Sequence, residues 1–165
     1  MCTMKNLFAL LIIAIFVNGC TKDDICPEGS DTTPLLIITF NDVANTALRK
    51  EVPNLTVEAV GNTITTTVLT ATTTDSIAIP LRTNVDETRY RFIRQDGGET
   101  ENADLIDFIY AVEDVYVNRA CAFKAEYNNL QATIENEGSN NWILDANILK
   151  ALVADETEAH ITILH

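Results

Sequence analysis

Residues 88–110 read TRYRFIRQDGGETENADLIDFIY, and this stretch decides the fold. Residues 88–95 and 102–110 are runs of β-branched, aromatic and alternating polar residues. Between them lies Asp96-Gly97-Gly98-Glu99, a turn signal, so the two runs predict an antiparallel hairpin. A strand sends successive side chains to opposite faces. Arg89, Arg91 and Ile93 therefore share one face, and Tyr90, Phe92 and Arg94 the other.

The same pattern extends outward in both directions. LLIITF at 35–40 follows Pro34 and reads as a buried strand. Residues 55–60 and 63–68 flank Gly61-Asn62, which predicts a two-residue hairpin turn. Residues 76–82 (SIAIPLR) place Ile77, Ile79 and Leu81 on one face. Pro80 removes a ladder donor there, so this strand belongs at an edge or a bulge. Further strands are expected at 115–117 and 121–127, as two strands or one interrupted strand, and at 142–144 and 160–164. Residues 44–50 fit one helical turn, and 147–153 fit helix or strand equally. Eight or nine short strands without a long amphipathic helix predict an all-β protein. The expected form is an antiparallel β-sandwich of immunoglobulin-like architecture, with a closed barrel as the alternative. Antibody domains carry a Trp between two Cys, whereas Trp142 follows every Cys here, so the likeness is architectural.

The chain has 165 residues and a net charge of −13. Such acidity opposes non-specific nucleic-acid binding, which depends on Lys and Arg at phosphates. Residues 1–19 (MCTMKNLFALLIIAIFVNG) set one Lys before an apolar run at 7–17, too short to span a bilayer but suited to a signal-peptide core. Val17-Asn18-Gly19-Cys20 is similar to the bacterial lipobox. On that reading Cys20 becomes the first residue and carries diacylglycerol and an acyl chain such as palmitate; several chains together anchor firmly. The alternative is an ordinary secretory signal. Cys20-Thr21-Lys22-Asp23-Asp24 is similar to the export signal that sends Bacteroidota lipoproteins to the cell surface, with Lys22, Asp23 and Asp24 as its residues. The expected organisation is a signal peptide at 1–19, a lipid-anchored tether at 20–33 and a β-sandwich domain at 34–165.

Of four Cys, Cys2 leaves with the signal and Cys20 is lipidated. Cys26 and Cys121 remain as an even pair in an oxidising compartment, which favours a disulfide over two buried thiols.

Several stretches together resemble a family of small Bacteroidota lipoproteins of unknown function. They are DDICPE at 23–28, TPLLIITFND at 33–42, SIAIPL at 76–81, ACAF at 120–123 and HITI at 160–163. The resemblance implies a lipid anchor, two paired cysteines and an envelope setting near outer-membrane barrel proteins. It supplies no catalytic residues. The family has Cys-Gly-Phe where this chain has Cys121-Ala122-Phe123, an exchange that a strand tolerates.

Catalytic and metal chemistry find little footing. His160 and His165 are the only histidines, and their odd spacing sends them to opposite faces of a strand. No Ser lies in a nucleophile elbow. Asp96, Glu99, Glu101 and Asp104 make an acidic loop, read as a solvated turn rather than a calcium site. Arg89 and Arg91 form a candidate contact strip for an anion or polysaccharide, against plain pairing with Asp107 and Glu101. Tyr90 and Trp142 are candidate sugar-stacking residues. Thr32 and Ser76 sit in sequences resembling a Bacteroidota O-glycosylation motif. No metal or cofactor is expected. The expected function is a non-catalytic outer-membrane lipoprotein that contacts another envelope protein, such as a barrel. The alternative is a glycan- or ligand-binding module.

Overall fold

The computed structural model describes residues 25–165, so the leader, Cys20 and the Lys22-Asp23-Asp24 motif lie outside the described residues. Among the described residues there are ten strands. They are β1 (Leu36–Asp42), β2 (Asn45–Arg49), β3 (Val52–Val60), β4 (Thr65–Thr74), β5 (Ser76–Ile79), β6 (Glu87–Arg94), β7 (Asn102–Asn118), β8 (Ala122–Ile134), β9 (Asp145–Ile148) and β10 (Ile161–Leu164). One sheet runs β2-β1-β10-β9, with β5 also paired to β1; the other runs β4-β3-β6-β7-β8. The inner faces of both sheets feed one buried cluster. It includes Leu36, Ile38 and Phe40 of β1, Phe92 of β6, Phe108 of β7 and Ile163 of β10. This is a β-sandwich. Each fully buried side chain of this size contributes about 1.5–3 kcal/mol.

The hairpin at 88–110 folds as its alternation predicts. β6 and β7 pair antiparallel from Glu87↔Ile109 to Arg94↔Asn102. Tyr90, Phe92 and Phe108 meet edge-on with ring centroids 6.2–6.5 Å apart. β5 stops at Ile79, one residue before Pro80, and pairs with β1.

Other expectations need correction. Residues 44–50 form no helical turn. They supply β2, because a helix this short has an unfavourable nucleus while β1 offers backbone partners. The turn before β2 closes when Ala44 N donates to Asp42 Oδ1 at 2.7 Å. The β3–β4 connection is a four-residue turn rather than a two-residue one, since Val60 pairs with Thr65. Gly61 N donates to Ile64 O, and a Cβ on Gly61 would lie 2.5 Å from that oxygen. Residues 115–117 are the end of β7, not a separate strand. Residues 142–144 are not a strand either; the buried Asp104 carboxylate holds Ile143 N at 2.7 Å and draws that segment across the core. One sheet is mixed, because β1 and β10 run parallel.

The described chain divides into two compact units. Thr32–Val115 with Lys124–His165 holds the sheets, apart from the ends of β7 and β8. Of the described residues, the other unit contains 25–31 and Tyr116–Phe123. Within it Cys26 and Cys121 form a disulfide, with Cα atoms 4.7 Å apart across a sequence separation of 95. Closing so long a loop in the unfolded chain stabilises the fold by up to about 4–5 kcal/mol.

Two measurements follow from this geometry. Ala122 has φ +58°, in the left-handed region, so the strand does not simply tolerate Ala where the resembling family has Gly. Left-handed backbone costs a residue with Cβ about 1–2 kcal/mol, and glycine returns part of that as unfolded-state entropy. Ala122→Gly is therefore expected to raise stability by up to about 1 kcal/mol, read from denaturant unfolding with the bridge intact.

The second concerns pH. His160 Nδ1 accepts the Ile37 N–H at 3.1 Å, which requires a neutral ring nitrogen. Burial pushes both His160 and His165 below the ordinary 6.5; Asp155 and Glu156 oppose the shift at His160, and Lys150 adds to it. The unfolded histidines take up protons first, so stability is lost as pH falls through about 6.5. Melting temperature is expected to drop between neutral and mildly acidic pH. His160→Asn, which keeps an acceptor but cannot titrate, flattens that slope.

Candidate functional site

The outer face of β6 carries the arginine strip. Arg89 grips Asp107 in a bidentate pair, Nε to Oδ1 at 2.5 Å and Nη2 to Oδ2 at 2.6 Å. Its Nη1 lies 3.5 Å from Glu135. Arg91 pairs with Glu58 of β3 at 2.8 Å, not with Glu101. Glu101 instead accepts the Gly97 N–H at 2.8 Å. Both guanidiniums are thus engaged in cross-strand pairs that tie three strands together. Bidentate geometry makes the Arg89 pair the stronger. A ligand at Arg89 or Arg91 must compete with these carboxylates.

The two aromatic candidates do not face solvent. Tyr90 is 1% exposed and its hydroxyl donates to Pro80 O at 2.5 Å. Burial drives the phenol pKa far above its ordinary range. Trp142 is 4% exposed, and its Nε1 donates to Phe92 O at 3.2 Å. Phe40 and His165 pack against its ring, and the Arg94 guanidinium lies 5.5 Å from its centroid. Neither ring can stack on a sugar. Alternation turns Tyr90 inward with Phe92, and Trp142 plugs the core where its segment crosses between elements.

The acidic loop does not converge on a point. Asp96 accepts the Thr56 hydroxyl at 2.6 Å, and Asp104 leaves the loop entirely for the core. Burial pushes the Asp104 carboxyl above its ordinary value, with the Ile143 N–H partly offsetting it. His160 and His165 flank β10 at opposite ends, and each is bound into backbone contacts. Thr32 and Ser76 are solvent-exposed.

Two features escaped the sequence reading. A cleft of about 430 Å³ opens between the β3–β4 turn and the start of β6, lined by Gly61, Asn62, Arg82, Val85, Glu87 and Arg89. Arg82 is its prominent cation. Its Nη2 donates to Val60 O at 3.2 Å, and among the described residues it pairs with a carbonyl rather than a carboxylate. Its backbone is fixed by the Thr88 and Tyr110 hydroxyls, at 3.0 and 2.9 Å. The pattern of alternation carries no sign of this cleft, because Arg82 follows Pro80 outside any strand.

The second feature is the open edge at β4. This ten-residue strand, TTTVLTATTT, ends its sheet and has no charged residue and no Pro. Most of its side chains face solvent. Its seven threonines were legible in the sequence, but its place at an edge was not. Edge strands are ordinarily blunted by charge or Pro. Here the protection is limited to bulges where β3 and β4 slip register, beside Ala71 at φ +38°.

No curated protein and no solved structure matches the chain. The model of a family of unknown function, DUF6452, matches residues 54–165, well over half the chain, and the chain therefore belongs to that family.

Proposed function

We propose that this chain is a non-catalytic lipoprotein of a bacterial outer membrane, and that its open edge β4 takes up a strand from another envelope protein. The observation that carries this reading is the long, uncharged edge itself. An extended partner segment gains main-chain hydrogen bonds there without displacing any charge. The anchor is supported by the apolar leader and the lipobox-like Val17-Asn18-Gly19-Cys20, and surface export by Lys22-Asp23-Asp24. The Cys26–Cys121 bridge suits an oxidising compartment. An outer-membrane barrel, which shares that compartment and exposes chain at its rims, is the kind of partner expected. Engagement of both histidines in backbone contacts supports the non-catalytic part. Ligand capture is the weaker alternative, since it keeps the Arg82 cleft but loses both aromatic platforms.

A photocrosslinking side chain at Thr66, introduced in the native host, is expected to give one discrete adduct. Thr67→Lys with Thr70→Lys should reduce that adduct about tenfold, the equivalent of 1.4 kcal/mol of binding. Both threonines are exposed, so the melting temperature should hold, with changes within about 0.5 kcal/mol. An adduct that survives the two lysines would rule out the edge as the docking surface.

Cys20→Ala tests the anchor. The variant is expected to lose its acyl chains by mass and to leave the membrane fraction or remain unprocessed. Unchanged membrane partition would refute the lipobox reading.

A further inference from the structure

Residues 116–123 read YVNRACAF, and they comprise the end of β7, the turn at 119–121 and the start of β8. Alternation over most of the chain turns large aromatic side chains inward, but here it does the reverse. Tyr116 is 59% exposed and Phe123 62% exposed, and their rings meet edge-on with centroids 5.4 Å apart. Ile25, in the same compact unit, is 77% exposed and adjoins Cys26. The turn is firmly built. Asn118 Oδ1 accepts the N–H groups of Ala120 and Cys121 at 2.9 and 2.8 Å, and the disulfide ties Cys121 to Cys26.

Its charge is equally unlike the rest of the chain. With 24 acidic residues in the sequence, the turn has none, and its one charge is the exposed Arg119. In sequence, Glu28 and Asp31 follow Cys26 on the side away from Cys20, and Lys22 stands beside Asp23 and Asp24 between the two cysteines.

We propose that this aromatic turn seats in the headgroup layer of the bilayer that holds the lipid anchor. The inference rests on the lipid-anchor reading of Cys20. Cys26 follows Cys20 closely, so even a fully extended chain carries the bridge no more than about 22 Å from the acylated residue. The disulfide then fixes the turn to that point. Exposed Phe and Ile gain by burial at the acyl boundary. A Tyr hydroxyl and an Arg guanidinium find phosphate and water at headgroup depth, where such side chains concentrate. The anchor's short reach selects lipid over a protein partner as the occupant.

The test uses the full-length acylated protein in vesicles of phosphatidylethanolamine and phosphatidylglycerol with brominated acyl chains. Trp142, the only tryptophan, is buried and reports the fold as an internal reference. Tyr116→Trp adds a reporter on the turn. The added emission is expected to fall by about half in brominated vesicles, because an interfacial indole lies close to the bromines. Adding Phe123→Asp should restore most of it while the Trp142 emission stays unchanged. Acylated Tyr116→Trp protein, verified by mass, whose added emission ignores the bromines would overturn this proposal and leave the anchor standing. Quenching that persists with Phe123→Asp would also overturn it. Protein recovered without acyl chains would overturn the anchor reading, and the proposal with it.

Discussion

The parallel pairing of β1 with β10 holds one whole sheet together. Among the described strands, β1 alone touches β2, β5 and β10 in turn, and β9 reaches the sheet through β10. The pairing is fixed at three levels along its length. At one end His160 N donates to Ile37 O while His160 Nδ1 accepts Ile37 N–H. In the middle the Thr39 and Thr162 hydroxyls meet at 2.9 Å in a buried site. At the other end His165 N donates to Asn41 O, and Lys50 Nζ reaches His165 O at 2.7 Å. A slip of one residue would break all three and turn Ile161 and Ile163 out of the core. The stretch matched by the family model begins at residue 54 and excludes β1. β10 with β9 would then lack the strand that completes their sheet.

Much of this architecture was legible because alternation is a local signal. Thr88, Tyr90 and Phe92 point inward from β6, and Ile106, Phe108 and Tyr110 point inward from β7, as period two requires. What failed were features decided by the pairing or packing partner rather than by the segment's own pattern. Residues 44–50 have weak preferences of their own, and β1 settles them as a strand. The parallel register of β1 and β10 depends on segments more than a hundred residues apart, and no local pattern encodes it. Trp142 was misread for the same reason. Its indole looks like a surface platform until the Phe92 carbonyl, the Arg94 guanidinium and the His165 ring close around it. The cysteine pair was legible from counting, because elimination left one partner for each.

Sending its aromatics inward leaves the sandwich few side chains for recognition. Tyr90, Tyr110, Tyr127, Phe40, Phe92, Phe108 and Trp142 are all buried. Their hydroxyls and indole N–H are bound to backbone carbonyls such as Pro80 O, Leu81 O, Arg82 O and Phe92 O. These bonds pin the irregular segment after β5 to the core and set Arg82 at its cleft. Recognition by this protein then falls to backbone at an open edge, to a guanidinium in a cleft, or to the two aromatics that break the rule.

Charge separates the surfaces that can associate from those that cannot. A chain of net charge −13 repels acidic partners and anionic lipid over most of its surface. Its cations are largely consumed internally, Arg89 by Asp107, Arg91 by Glu58 and Lys150 by Glu158. Contact costs least where no carboxylate must be desolvated. Among the stretches that meet that condition are β4 from Thr65 to Thr74 and the turn region from Tyr116 to Phe123. They differ in what they offer. β4 presents hydroxyls and unpaired main chain, which suit an incoming strand. The turn presents an aromatic pair beside a single cation, which suits the boundary between acyl chain and phosphate. The acidity that disfavours contact over the rest of the molecule is absent from these two stretches, which lowers the desolvation cost of association at both of them.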